Sequence, residues 1–231
     1  MSKLSFNETC TIAQNHCQCF ELLTNEERDL LESRRVQVNF KRGEIITKQG
    51  VFATHVMFLC EGLVKVYLED GDETLILKII GPGSLIGLSS LCLKDNTFQY
   101  TASSYQQAKV WFFEIDAFKK IVRENGMFAT KIIQFMAENS NQINNRFFGM
   151  MHRQSYGKLA DLLLCLAGSV FRDNTFELLL TRKELAELAG LSTESVIRLL
   201  KDFQKDKLIE INNKTFTLLD EEGLRKVCKT G

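Results

Sequence analysis

Apolar residues recur at every second position from about residue 36 to residue 115, the period of a β-strand with one buried face. Val64, Val66 and Leu68 form one such row, and Asp70-Gly71 follows as a turn. Glycines at positions 43, 50, 62, 71, 81, 83 and 87 divide the region at roughly ten-residue intervals, a spacing typical of antiparallel sandwiches and barrels. The pattern predicts an antiparallel β-roll.

Helical periodicity flanks this region on both sides. Thr24 is a suitable cap for a short helix over residues 24–35, and a second short helix is expected after Phe113. A long helix then follows, with Gly149 as its expected hinge. Its residues at three- and four-residue spacing predict a coiled-coil homodimer interface, in which a polar Asn would set the register. The predicted interface residues are Ile132, Met136, Asn139, Ile143, Phe147 and Met150. The alternative is a helix packed on its own β-domain.

The stretch TRKELAELAGLSTESVIRLLKDFQKDKLI, residues 181–209, predicts two helices joined by a tight turn. Thr181 and Glu184 have capping-box spacing, Gly190 permits the turn, and Ser192 is a good cap for the second helix. This spacing is typical of a helix-turn-helix. The second helix has an apolar face formed by Val196, Leu199, Leu200 and Phe203.

The opposite face of that second helix is charged, with Glu194, Arg198, Lys201 and Lys205 at helical spacing. Two short strands, Ile209-Ile211 and Phe216-Leu218, are expected directly afterwards, so the segment predicts a winged helix. Such a fold presents its second helix to the major groove of DNA. The alternative is a helical hairpin in which Glu194 and Arg198 form only a surface ion pair.

The fold class that follows is α+β. We expect a cysteine-bearing arm over 1–20, a β-roll sensor domain of the double-stranded β-helix or jelly-roll type over 21–125, a dimerisation helix and hinge over 126–150, and a winged helix-turn-helix over 151–231. No signal peptide or membrane-spanning apolar run is visible, so a cytoplasmic protein with no membrane partner is expected.

The net charge of the chain limits the ways in which such a protein could bind DNA. The formal net charge is zero, and residues 151–231 hold 13 Lys and Arg against 12 Asp and Glu. Bulk charge therefore cannot attract nucleic acid, and binding must come from a local basic face that dimerisation doubles.

The order of β-roll, long helix and winged helix closely resembles the Crp/Fnr family over about residues 20–225. The resemblance rests on LTRKELAELAGLSTESVIRLLKDFQKDKLIEINNKTFTL and on the glycine pattern KRGEIITKQG…GLVKVY…GPGSLIGL. It implies a bacterial, homodimeric, sequence-specific transcription regulator that binds double-stranded DNA under the control of an effector, and that contacts RNA polymerase if it is an activator.

The resemblance carries over to particular residues of the second helix. Glu194 and Arg198 match the family's typical base-reading positions, and their chemistry suits one G·C pair. A TGA-like core in each half of an inverted repeat is therefore expected. Thr193 and Ser195 are further base-reading candidates. The candidates for phosphate contact are Thr181, Arg182, Ser192 and Lys201.

The sensor region departs from the cyclic-AMP-binding members. Leu88 replaces the expected Glu, Phe98 stands near the expected Arg, and neither GSLIGLSSL nor DNTFQYTA contains Arg or Lys. A buried cyclic phosphate needs a charged or well-donating partner, so cyclic AMP is not the expected effector. A small ligand could instead occupy an apolar pocket, or the same side chains could simply fill the roll. The pocket candidates are Leu85, Ile86, Gly87, Leu88, Ser89, Phe98 and Tyr100.

The N-terminal arm is a second candidate sensor. Cys10, His16, Cys17 and Cys19 lie within ten residues and could hold an iron–sulfur cluster or zinc, and one of the three histidines could ligate haem. The spacing does not select any of these cofactors, and incidental reduced thiols in a flexible arm remain the alternative. The cofactor is therefore left open, with a haem- or iron–sulfur-dependent redox or gas sensor as the alternative function.

Other functional classes fit less well. Metal enzymes on β-rolls need clustered histidines, whereas His55 is the only histidine in this roll. No Ser-His-Asp set, P-loop or dinucleotide fingerprint is visible, so no enzymatic activity is expected. A scaffold or small-ligand-binding module that does not bind DNA would not need the basic face of Arg198, Lys201 and Lys205.

Overall fold

A computed structural model describes residues 16–71, 73–91 and 96–230. Two antiparallel four-stranded sheets form the predicted β-roll, and their strand orders are β1-β8-β3-β6 and β2-β7-β4-β5. The strands are β1 Val36–Phe40, β2 Ile45–Thr47, β3 His55–Glu61, β4 Val64–Asp70, β5 Glu73–Ile80, β6 Leu85–Ile86, β7 Thr101–Ser104 and β8 Ala108–Glu114. Val64 and Val66 point inward and are almost completely buried, as the period-two pattern predicts.

Two helices cover one side of the roll, α1 Asn25–Ser33 and α2 Ile115–Glu124. The α1 helix begins at Thr24, whose hydroxyl accepts the Glu27 amide while the Glu27 carboxylate accepts the Thr24 amide. Phe118 of α2 packs edge-on against Phe128 of the next helix, with ring centroids 5.4 Å apart. The apolar side of α2 thus packs into the roll core.

The long helix α3 runs from Gly126 to His152 without interruption. The chain divides into two compact units inside this helix, between Ser140 and Asn141. Gly149, the expected hinge, lies within the helix, and the chain leaves helical geometry only after His152. The long helix therefore contains the boundary between the two units.

The first half of α3 packs against the roll, and two of the predicted interface residues, Ile132 and Asn139, make contacts within their own unit. Ile132 is 3% exposed and packs in the same core as Phe128 and Phe135. The Asn139 amide donates to the Phe135 carbonyl, and its oxygen accepts from Lys78. With 3.6 residues per turn, positions 132 and 139 fall on the side of the helix that faces its own sheet.

The unit that begins at Asn141 contains a winged helix. Helix α4, Ser155–Cys165, continues into a π-helical turn, Leu166–Phe171, and is followed by β9 Thr175–Glu177, α5 Arg182–Ala189, α6 Thr193–Lys205, β10 Ile209–Asn212, β11 Thr215–Leu218 and α7 Glu221–Thr230. The strands form one antiparallel sheet in the order β10-β11-β9. The sequence pattern predicted the β10-β11 hairpin but missed β9.

Within the described residues, none of the helices has an apolar stretch long enough to cross a membrane.

Candidate nucleic-acid interface

Local capping fixes the two helices of the helix-turn-helix. The Thr181 hydroxyl accepts the Glu184 amide at 3.1 Å, and the Glu184 carboxylate accepts the Thr181 amide at 2.9 Å. The Ser192 hydroxyl accepts the Ser195 amide at 3.2 Å. Both capping residues are exposed, so the amino-terminal ends of α5 and α6 lie at the surface.

The turn between these helices depends on Gly190. This residue has φ +64°, a left-handed conformation that residues with a Cβ rarely adopt. A Cβ at this position would also lie 2.5 Å from the Met150 Cε of α3. The left-handed conformation therefore favours glycine at this point, whereas the Met150 methyl, at the end of a flexible side chain of α3, could shift to admit a Cβ.

Helix α6 separates its apolar and polar faces sharply. Val196, Leu199, Leu200 and Phe203 are at most 3% exposed and pack into the domain core. Glu194, Arg198 and Lys201 are exposed on the other face, with Thr193 and Ser195 half-buried at the start of the helix. The predicted base-reading residues thus lie together on the outer surface of one rigid helix.

Glu194 and Arg198 do not form the surface ion pair that was the alternative explanation for them. The ion pairs among the described residues join other side chains. Ile197, between them, is 41% exposed and adds an apolar group to the same surface. A carboxylate, a guanidinium and a branched alkyl group therefore face outward together.

The wing contacts the start of α5. Asn213, with φ +58°, turns the chain between β10 and β11. The Arg182 guanidinium lies over the Phe216 ring of β11, 5.2 Å from its centroid, and burial lowers the pKa of Arg182. Arg182, a predicted phosphate contact, therefore also ties α5 to the wing.

Two contacts that support the helix-turn-helix were not predicted from the sequence. The Arg146 side chain of α3 donates to the Leu188 carbonyl in the last turn of α5, at 3.0 Å. The Tyr156 hydroxyl of α4 donates to the Asp202 carboxylate of α6 at 2.6 Å. The one sequence feature related to the Arg146 contact is its four-residue spacing from Met150, which puts both side chains on the same side of α3.

The predicted effector residues belong to the apolar core of the roll. Leu85, Ile86, Leu88 and Phe98 are all buried there, and the Gly87 amide donates to the Tyr100 hydroxyl at 2.9 Å. The Ser89 hydroxyl is buried with no hydrogen-bond partner among the described residues. The Tyr100 hydroxyl therefore satisfies the Gly87 amide, whereas the buried Ser89 hydroxyl makes no hydrogen bond with the described residues.

The predicted metal ligands are only partly brought together. Cys17 and Cys19 are buried against the roll, whereas His16 is exposed, and Cys10 lies outside the described residues. The two thiols hydrogen-bond each other, which lowers the pKa of Cys17 and raises that of Cys19. The described part of the chain contains no group of three or more His, Cys, Asp or Glu side chains placed to hold a metal ion.

The exposed side of α3 carries large apolar side chains, which we call the α3 apolar row. Its members are 41–68% exposed and recur at helical spacing. They are Ile133, Met136, Ile143, Phe147 and Met151. Met136, Ile143 and Phe147 are shared with the predicted interface, and Ile133 and Met151 extend it.

Two family models match the chain. The Crp-like helix-turn-helix domain matches residues 157–227, and the cyclic nucleotide-binding domain matches residues 37–125. The HTH-type transcriptional regulator Cmr of Mycobacterium tuberculosis is 26% identical over 196 residues, which cover 85% of this chain and 77% of that protein. The global nitrogen regulator of Synechococcus elongatus is 27% identical over 192 residues, covering 80% and 86%.

Solved structures show the same fold. A Crp/Fnr-family transcriptional regulator from Eubacterium rectale superposes with a TM-score of 0.77 at 20% identity, covering 92% of this chain and 98% of that one. The similar proteins are transcription regulators rather than enzymes. With a cyclic nucleotide-binding-type domain, a long helix and a Crp-like winged helix in one chain, the protein belongs to the Crp/Fnr family of DNA-binding transcription regulators.

Proposed function

We propose that the protein acts as a homodimer that recognises an inverted repeat with a TGA-like core in each half-site. The observation that carries this proposal is the outward-facing group of Glu194 and Arg198 on α6, exposed and not paired with each other. These side chains have the chemistry to recognise one G·C pair from the major groove.

The base contacts follow from donor and acceptor geometry. A guanidinium at Arg198 donates to O6 and N7 of guanine, and a carboxylate at Glu194 accepts from N4 of the paired cytosine. The exposed Ile197 side chain offers an apolar contact for a thymine methyl group in the same groove. Thr193 and Ser195 flank Glu194 in the first turn of α6, where recognition helices contact bases.

Phosphate contacts would fix the position of α6 without specifying sequence. Lys201 is exposed on the same helix, and Thr181 and Ser192 lie at the exposed amino-terminal ends of α5 and α6. Helix amino termini attract phosphate because their amides and dipole are both oriented toward an anion. Arg182, positioned beside the wing strand, would add a cation to this set.

Dimerisation is proposed through the α3 apolar row. Apolar side chains that recur at helical spacing on an exposed surface are typical of a helix that pairs with another helix. A second copy would place two α6 helices about 34 Å apart, in successive major grooves. If the protein is an activator, RNA polymerase would be a further partner.

The controlling signal is proposed to act at the β-roll or at the N-terminal cysteines, and cyclic AMP is not the proposed effector. In the roll, Leu88 and Phe98 place apolar groups where a cyclic phosphate would need a cation. The buried Ser89 hydroxyl supports a small ligand there, because an unsatisfied buried hydroxyl costs roughly 1–3 kcal/mol that a ligand could recover.

Half-site spacing provides a test of the dimeric arrangement. Fluorescence anisotropy would compare a duplex with two TGA half-sites centred about ten base pairs apart with one in which the spacing is increased by half a helical turn. The longer spacing is expected to weaken binding by roughly 10²-fold, because the two helices can no longer engage together. The same insertion placed outside the half-sites is the matched control. Equal affinity for both spacings would contradict the proposal.

A further inference from the structure

Arg198 of α6 has a carboxylate one helical turn away on each side, Glu194 before it and Asp202 after it. Residues four positions apart on a helix are neighbours, so either carboxylate could pair with the guanidinium. The ion pairs among the described residues include neither contact. For Asp202 the structure shows the reason, because its carboxylate has a different partner.

That partner is Tyr156, near the start of α4. The Tyr156 hydroxyl donates to Asp202 Oδ2 at 2.6 Å, a short hydrogen bond to a charged acceptor. The Tyr156 ring lies beside the ring of Phe203, with centroids 5.9 Å apart, and Phe203 is 1% exposed in the core of the domain. The hydroxyl is therefore held in place by the packing of its own ring.

Arg198 lies within electrostatic range of this hydrogen bond. The hydrogen bond to Asp202 raises the pKa of Tyr156, and the positive charge of Arg198 acts in the opposite direction. Asp202 is half-buried, whereas Arg198 is exposed. The carboxylate is thus held against α4 while the guanidinium remains at the outer surface.

We propose that Tyr156 is a positioning residue for DNA recognition: its hydrogen bond keeps Asp202 from pairing with Arg198, so that the guanidinium stays available to guanine. This role rests on the proposed contact of Arg198 with guanine. A carboxylate paired with Arg198 would occupy the same fork of N–H donors that guanine O6 and N7 require. Discrimination between base pairs should therefore depend on Tyr156, whereas general affinity for DNA should not.

Fluorescence anisotropy measures discrimination as the factor by which the inverted repeat binds more tightly than a duplex with its G·C pairs changed to A·T. Tyr156→Phe removes only the hydroxyl and is expected to lower this factor roughly twofold for each half-site, the strength of a helix ion pair at this spacing. Asp202→Asn in the Tyr156→Phe background should restore the wild-type factor, because an amide has no charge with which to compete for the guanidinium.

Asp206→Asn in the same background is the matched control. Asp206 is exposed and lies eight residues after Arg198, about 12 Å along the helix axis, so its removal should restore nothing. An unchanged factor in Tyr156→Phe, or equal restoration by Asp202→Asn and Asp206→Asn, would overturn the role of Tyr156. An equal loss of affinity for both duplexes would overturn it as well, because it would indicate a purely structural or phosphate-contacting hydroxyl.

A measurement without DNA separates this role from the proposed base contact. In ¹H–¹⁵N correlation spectra of the free protein, the Arg198 Nε–H resonance is assigned by its loss in Arg198→Lys. Tyr156→Phe is expected to shift it as the guanidinium pairs with Asp202, and Asp202→Asn in that background to return it. An unshifted resonance would overturn the role of Tyr156, whereas a wild-type protein without preference for G·C would overturn the base contact.

Discussion

Replacing Arg198 with alanine is expected to remove most of the proposed preference for a TGA-like core. A bidentate contact to guanine contributes roughly 1–3 kcal/mol of discrimination, so each half-site should lose on the order of tenfold to a hundredfold in affinity. Two half-sites in one dimer roughly double the free-energy loss. Anisotropy titrations on the inverted repeat and on a duplex with the G·C pairs changed to A·T would measure both the loss of affinity and the loss of discrimination between the two duplexes. Wild type should discriminate between the duplexes, and the variant should not.

Lys201→Ala is the matched control for this experiment, because Lys201 is an exposed cation on the same helix with a proposed phosphate contact. It should weaken binding to all duplexes about equally and lower the salt dependence by about one ion per site. Arg198 is exposed, so Arg198→Ala should change unfolding stability by no more than roughly 0.5 kcal/mol. A variant that kept the full wild-type preference would show that the recognition residues were wrongly assigned.

Replacing Phe147 with glutamate is expected to convert the proposed dimer into a monomer. Phe147 is 67% exposed in the α3 apolar row, and in a dimer it would face apolar residues of the second copy. A carboxylate buried there without a partner is strongly unfavourable. Sedimentation velocity would show the change in mass, and affinity for the inverted repeat should fall by roughly 10²-fold or more as the avidity of two half-sites is lost.

Asn141→Glu controls for added charge on the same helix. Asn141 is exposed on a side of α3 that is away from the apolar row, so this variant should remain a dimer and bind DNA normally. If Phe147→Glu sedimented as a dimer with wild-type DNA affinity, the α3 apolar row would not be the dimer interface.

Local features of the sequence were sufficient to predict the helix-turn-helix. Thr181 with Glu184, Gly190, and Ser192 each act within a few residues of the position they define, and all take the predicted conformations. The β-roll was predictable for a related reason. Its alternating rows and spaced glycines encode strand faces and turns directly.

The sequence predicted less well which residues of α3 face the roll and which face outward, because apolar residues line both sides of this helix. Apolar residues at positions 128, 132 and 135 face the roll, and those at 133, 136, 143 and 147 face outward. Both sets recur every three or four residues, so spacing alone could not assign Ile132 to its own core. The Lys78–Asn139 hydrogen bond joins residues 61 positions apart, and no local pattern specifies it.

Contacts of this kind also explain the parts of the site that sequence reasoning missed. Strand β9 is three residues long and forms only because β11 pairs with it. The Arg146 contact to the Leu188 carbonyl spans 42 positions. Each depends on tertiary packing that brings distant segments together.

Selection of bound sequences from a random duplex pool tests the central claim most directly. Purified wild-type protein is expected to enrich an inverted repeat with TGA in one half and TCA in the other, centred about ten base pairs apart. Enrichment of unrelated sequences, of a single unpaired half-site, or of no sequence at all would contradict recognition by two α6 helices through Glu194 and Arg198.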